Sequence, residues 1–248
     1  MTLPKKITPD RIKQAIVEFR YSSKRPFEVL LGTFFNAMDD TYTYTNRPLP
    51  QPKGAILPTE NSQGITLQFG GKSLFYNDKI TVALLPNSIV FSCLNEYIGW
   101  ETYSAEIERV ILALNNTNVI THFTRVGIRY VSEYPNINLQ ECIKFEFTFG
   151  MAQVRSDSYV FRTEFNLDPF RIVLNLNNKV PVLSQSDVNQ FLITPTSIID
   201  IDVLADGLNT NDTTELFEVM NRAKKMEKEI FFGYLIREEF LKTLNPEY

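Results

Sequence analysis

Residues 124–131 read TRVGIRYV, and their alternation decides the fold. In an extended chain Val126, Ile128 and Tyr130 point one way while Arg125, Gly127 and Arg129 share the other side, the two-residue period of a strand with one buried and one polar face. The period recurs at 15–21, AIVEFRY, where Ala15, Val17, Phe19 and Tyr21 oppose Glu18 and Arg20. It returns at 199–203, where Asp200 and Asp202 oppose Ile199, Ile201 and Val203. Strands with one apolar face suit an antiparallel sheet covered on that face only.

Helical stripes supply the cover. Behind Pro26, the residues Phe27, Leu30, Leu31, Phe34, Phe35 and Met38 recur at three- and four-residue spacing, as do Trp100, Tyr103, Ile107, Val110, Ile111 and Leu114 ahead of Asn115-Asn116. A third stripe, Leu216, Val219, Met220, Ala223, Met226 and Ile230, follows Asp212 and Glu215, a capping-box-like pair. Gly233 separates it from a last short helix at 235–244. Shorter strands are expected at 65–69, 74–76, 80–85 and 89–94, joined by Gly70-Gly71, Asn77-Asp78 and Pro86-Asn87 turns, and a long one at 119–134. Others are expected at 142–149, 159–166, 171–176 and 197–204, with Asp168-Pro169 and Asn177-Asn178 as turns. Residues 42–62 carry Pro48, Pro50, Pro52 and Pro58 and read as a Pro-rich arm or lid, with Tyr42 and Tyr44 as packing anchors. The fold class is α+β: an extended, mostly antiparallel sheet with two or three amphipathic helices packed on one side. Residues 1–248 form one compact unit in this reading, with β/α sub-halves at 1–135 and 136–248.

Composition limits the function. Of 248 residues 44% are apolar and 22% charged, a globular balance that excludes disorder, collagen and coiled coil. Twenty-five basic against 29 acidic side chains give a net charge of −4, without the basic excess of a duplex-DNA binder. The N-terminus has no apolar run behind its lysines, and no segment approaches a spanning helix. Cys93 and Cys142 are the two cysteines, the usage of a reducing compartment, so a cytoplasmic location without membrane contact is expected.

The phrases IVEFRY (16–21), GIRYVSEY (127–134), IIDIDV (198–203) and FFGYLIREEF (231–240) resemble a sporadically distributed family of uncharacterised prokaryotic proteins, over nearly the whole chain. That family's landmarks are an early strand with an embedded glutamate, a central Arg-x-Gly-x-Arg-Tyr strand and a late Asp-x-Asp strand. They correspond to Glu18, to Arg125, Gly127, Arg129 and Tyr130, and to Asp200 and Asp202. Members carry a histidine in the terminal helix where Met226 or a neighbour stands here, which argues against a catalytic role for that position. The resemblance brings no reaction, and its patchy distribution implies an accessory place in a prokaryotic defence or toxin-control system.

The charged faces form the candidate site. Glu18, Arg20, Arg125, Arg129, Arg162, Asp200 and Asp202, with Glu164, are expected to form a cross-strand ion-pair ladder that fixes register. The sharper alternative makes Asp200, Asp202 and Glu164 the acids of a metal-dependent phosphodiester hydrolase or RNA-processing protein, with Arg125 and Arg129 holding phosphate. RNA contact would draw on Tyr130 and Tyr134 near those arginines, on Phe145, Phe147 and Phe149, and on Arg222, Lys224, Lys225 and Lys228, although the phenylalanines read as one buried face and the basic run as a solvated one. The single histidine, His122, has no nucleophile motif beside it, and no metal spacing, P-loop or dinucleotide fingerprint occurs. No metal or cofactor is expected. Phe231, Phe232, Tyr234 and Phe240 offer more apolar surface than one short helix buries alone, so a second chain or the core must cover it, and binding to a protein partner or a second copy is the expectation. The reading favours a non-catalytic, oligomeric protein-binding module over an enzyme.

Overall fold

A computed structural model describes residues 3–46, 73–146, 148–149, 152–153, 157–185 and 191–248. The two-residue period builds β1 (Ile12–Ser22), β6 (His122–Pro135) and β11 (Phe191–Thr210). These lie adjacent in the middle of one sheet, flanked on one side by β5 (Ser88–Cys93), β4 (Ile80–Leu85), β3 (Leu74–Tyr76) and β2 (Thr43–Thr45), and on the other by β10 (Phe170–Gln185) and β9 (Tyr159–Leu167). Among the described residues it has nine strands in the order β2-β3-β4-β5-β1-β6-β11-β10-β9, every neighbouring pair antiparallel. Two short strands, β7 (Thr148–Phe149) and β8 (Ala152–Gln153), pair with each other outside it.

One face carries the helices. From α1 (Phe27–Ala37), α2 (Trp100–Asn115) and α4 (Thr213–Lys228), the buried Leu30, Phe34, Ile107, Ile111, Leu216 and Met220 join Val17, Phe19, Val126, Ile128, Ile201 and Val203 of the sheet in a single core. Asp212 caps α4 by accepting from the Thr214 N–H at 2.8 Å. Beyond α4 the chain winds as a π-helical turn, Glu229–Leu235, and ends in α5 (Glu238–Thr243). The α+β architecture with helices on one side is therefore observed.

Several local expectations are corrected. Asn177-Asn178 is not a turn: β10 runs through it, with a bulge between Asn177 and Val180 and Lys179 at φ 48°. The bulge is held by the buried Asn178, whose Oδ1 accepts from Leu139 N–H (2.8 Å) and Ser197 Oγ–H (3.1 Å) and whose amide donates to Asn138 Oδ1 (3.1 Å). The turn chemistry of asparagine is spent inside the strand. Cys142 closes a short helix, α3 (Leu139–Cys142), rather than opening a strand. Phe35 is 55% exposed and falls outside the core stripe, packing on Tyr44 and Phe75 at the sheet edge. The expected strand at 65–69, the Gly70-Gly71 turn and positions 47–62 of the Pro-rich arm lie outside the described residues.

The ladder also fixes which backbone groups each strand turns outward. Asn136 N–H donates to the Pro195 carbonyl at 2.8 Å, so odd-numbered residues of β11 face β6 and even-numbered ones face β10. Carried through the registers Val173↔Asp202 and Leu174↔Thr163, the alternation leaves the even-numbered residues of β9 facing away from the sheet.

Candidate functional site

The helix-free face holds the charges. Arg129 grips Asp200 with both prongs, Nε to Oδ1 at 2.7 Å and Nη2 to Oδ2 at 2.8 Å, and Asn175 donates to Oδ2 at 2.9 Å. Arg125 binds Asp206 at 2.5 Å and lies 4.0 Å from Glu18, which also accepts from Arg20 at 3.3 Å. Arg171 bridges Asp206 (3.0 Å) to Glu164 (3.3 Å), and Arg162 joins Glu164 (2.7 Å) to Asn175 (3.2 Å). Followed bond by bond, the chain of contacts leaves β1, crosses β6, β11 and β10 to β9, and returns through Asn175 and Asp200 to Arg129 on β6. It is a horseshoe of alternating sign.

Asp202 stands inside the horseshoe. It faces Arg129 directly in the ladder, yet that arginine reaches diagonally to Asp200. Among the described residues the Asp202 carboxylate has no hydrogen bond and no ion pair. Burial pushes its pKa up to about 7; Arg129 pulls it down, and the nearby Asp200 and Glu18 charges add to the rise. Beside it Gly127 leaves room for neighbours: a Cβ there would lie 3.0 Å from Leu204 Cδ2, 3.8 Å from Glu18 Cβ and 3.9 Å from Asp202 Oδ1. A side chain there would require Leu204 to give way by a few tenths of an ångström.

The structure therefore joins Glu18, Arg20, Arg125, Arg129, Arg162, Glu164 and Asp200 in one network and leaves Asp202 within it but unbonded. Three members escaped the sequence reading. Asp206 lies past the expected end of its strand at 204, although it keeps the parity of Asp200 and Asp202; Arg171 and Asn175 share the matching parity on β10. The proposed acid triad does not converge, because Asp200 is held by Arg129 while Glu164 is held by Arg162 and Arg171. No group of three or more His, Cys, Asp or Glu side chains suited to a metal occurs among the described residues.

Among the described residues the RNA platform is not brought together either. Tyr130 and Tyr134 are buried on the helix-covered face, opposite the arginines. Lys224 is not a solvated lysine: its ammonium sits 3.7 Å from the Tyr130 ring centroid and donates to the buried Glu227 at 2.5 Å. Arg222 lies over the Phe170 ring at 5.8 Å, and Phe145 packs on Phe161 at 4.7 Å. Phe147 and the Phe149 side chain lie outside the described residues. His122 opens β6, half-buried. Burial raises the thiols of Cys93 and Cys142 to about 11, far from nucleophile range.

Of the expected partner surface, Phe231 belongs to the core at 7% exposure and Phe240 packs on the buried Tyr134 at 5.9 Å. Phe232 stands edge-on to Phe231 at 4.8 Å, leaving Tyr234, 65% exposed, as the member that projects. No described helix is long and apolar enough to cross a membrane. Comparison with protein-family models and with curated proteins finds no match to this chain.

Proposed function

We propose that the chain is a non-catalytic binding module that works through a protein partner or a second copy of itself. The observation that carries this reading is the saturation of Asp200: both oxygens are occupied by Arg129 and Asn175, so a carboxylate that a hydrolase would need serves the sheet instead. A cytoplasmic setting and an accessory role in a prokaryotic defence or toxin-control system form part of the proposal and rest on cysteine usage and on the family resemblance. Affinity capture with the full chain from its host, read by mass spectrometry beside the native mass of the purified protein, tests it. A partner or an oligomer is expected; a monomer that captures no protein overturns it.

One observation favours the alternative of a metal-dependent phosphodiester hydrolase or RNA-processing protein, namely the unbonded Asp202 beside Arg129. On that reading manganese-dependent cleavage of an RNA oligonucleotide is measurable and disappears in Asp202→Asn. Absence of cleavage by the native chain removes the alternative.

A further inference from the structure

We propose that β9 is a self-recognition edge: two copies of the chain join antiparallel through it, about a two-fold axis at Thr163, and make one continuous sheet. The inference deepens the self-associating branch of the reading above and rests on it. β9 is the terminal strand of the sheet, nine residues long. Its even-numbered residues, Val160, Arg162, Glu164 and Asn166, turn their backbone groups outward, where no described strand meets them. Val160 and Phe165 on this strand are 58% and 36% exposed, apolar surface left at the rim.

The sequence around Thr163, FRTEF at 161–165, is self-complementary when reversed. With the axis at Thr163, Arg162 faces Glu164 of the partner subunit and Glu164 faces the partner's Arg162, while Phe161 faces the partner's Phe165 on the other side of the sheet. Threonine opposes threonine at the centre. Each of these is a favourable cross-strand pair. The outward backbone groups of Arg162 and Glu164 also fall opposite one another, the arrangement in which antiparallel residues exchange both hydrogen bonds. Moving the axis to Arg162 sets arginine against arginine, and moving it to Glu164 sets glutamate against glutamate. Charge thus favours this register over both of its neighbours. Charged side chains on an edge ordinarily repel other strands, but here the two signs stand symmetrically about Thr163, so an identical strand is attracted. The pairing also carries the horseshoe across the junction, since Glu164 already links to Arg171 at 3.3 Å.

Two single variants test this. Arg162→Glu places glutamates opposite one another in a homodimer, and Glu164→Arg places arginines opposite one another, whereas a mixture of the two variants restores unlike pairs. Sedimentation of the full native chain at about 100 µM, well above the micromolar Kd expected of an interface this small, is expected to show a dimer. Each variant alone is expected to lose at least about tenfold in self-affinity and the mixture to form a one-to-one heterodimer, an outcome that misfolded variants cannot give. A monomeric native chain overturns the proposal. So does a dimer indifferent to both changes, which leaves self-association standing and relocates it, and so does a mixture that stays monomeric. Capture of a different protein by a monomeric chain would overturn this edge while sparing the binding-module reading.

Discussion

Arg129 and Asp202 stand opposite each other across β6 and β11 without bonding, and the consequences divide between two neighbouring aspartates. Arg129 and Asp200 expose only 12% and 6% of their side chains. Removing the arginine strands a carboxylate in a site made for a pair, so Arg129→Ala is expected to lower stability by about 3–5 kcal/mol in urea unfolding. Exchanging both for apolar residues, Arg129→Met with Asp200→Leu, is expected to cost less than the single change, because neither member of the pair is then left without its partner. Asp202 produces the opposite pH dependence from the usual carboxylate. Its folded pKa of about 7 exceeds the unfolded value, so the folded chain holds the extra proton between about pH 4 and 7, and stability falls as pH rises through that window. Asp202→Asn is expected to flatten that part of the profile and to stabilise the protein at pH 8 by on the order of 3–4 kcal/mol, measured by unfolding at pH 5 and pH 8. Glu106 carries the ordinary sign. Burial pushes it up, but hydrogen bonds from Arg109 and Lys79 prevail and hold it at about 2, so its contribution is present above the unfolded value and lost as acid approaches that figure. The alternation in the strands reveals which residues share the charged face. Which arginine takes which aspartate is decided by a diagonal reach across the sheet, a property no single strand's sequence contains.

At the scale of elements, helices and strands whose apolar spacing is unbroken are legible in the sequence: β1, β6, α2 and α4 fall within a few residues of their expected bounds. Asn178 and Cys142 depart from the commonest settings of their residue types because tertiary partners decide otherwise. Asn178 signals a turn in isolation and is a bulge clasp once Asn138, Leu139 and Ser197 surround it. The same misreading hid the length of β10 and β11, which continue past Asn178 and Ser197 as a two-stranded extension. There Pro181 and Pro195 sit directly opposite each other, both exposed. The outward Asn136 bond to the Pro195 carbonyl shows that these prolines remove donors from the two rims and none from the pairing between them. Replacing both, Pro181→Thr with Pro195→Thr, restores a donor on each rim, and faster aggregation on warming, followed by light scattering, is expected with little change in midpoint.

Across the whole molecule, Trp100 on α2 donates to Asn221 on α4 at 3.0 Å, while β6 and β11 pair from Thr196↔Pro135 to Thr210↔Phe123. Both links cross the expected boundary between 1–135 and 136–248. Trp100 is the chain's one tryptophan, so its fluorescence reports the helix layer and far-ultraviolet dichroism reports the sheet. The two unfolding curves in urea are expected to coincide, and separated midpoints would show that the layers melt independently. The position of β1 has a further consequence. The first long strand to be made lies near the centre of the sheet, between β5 and β6, with partners beginning at Ser88 and His122. During synthesis it must therefore wait for much of the polypeptide to leave the ribosome before either of its sides is occupied, and until then Val17, Phe19 and Tyr21 are an adhesive segment for which the cell's chaperones are the natural custodians.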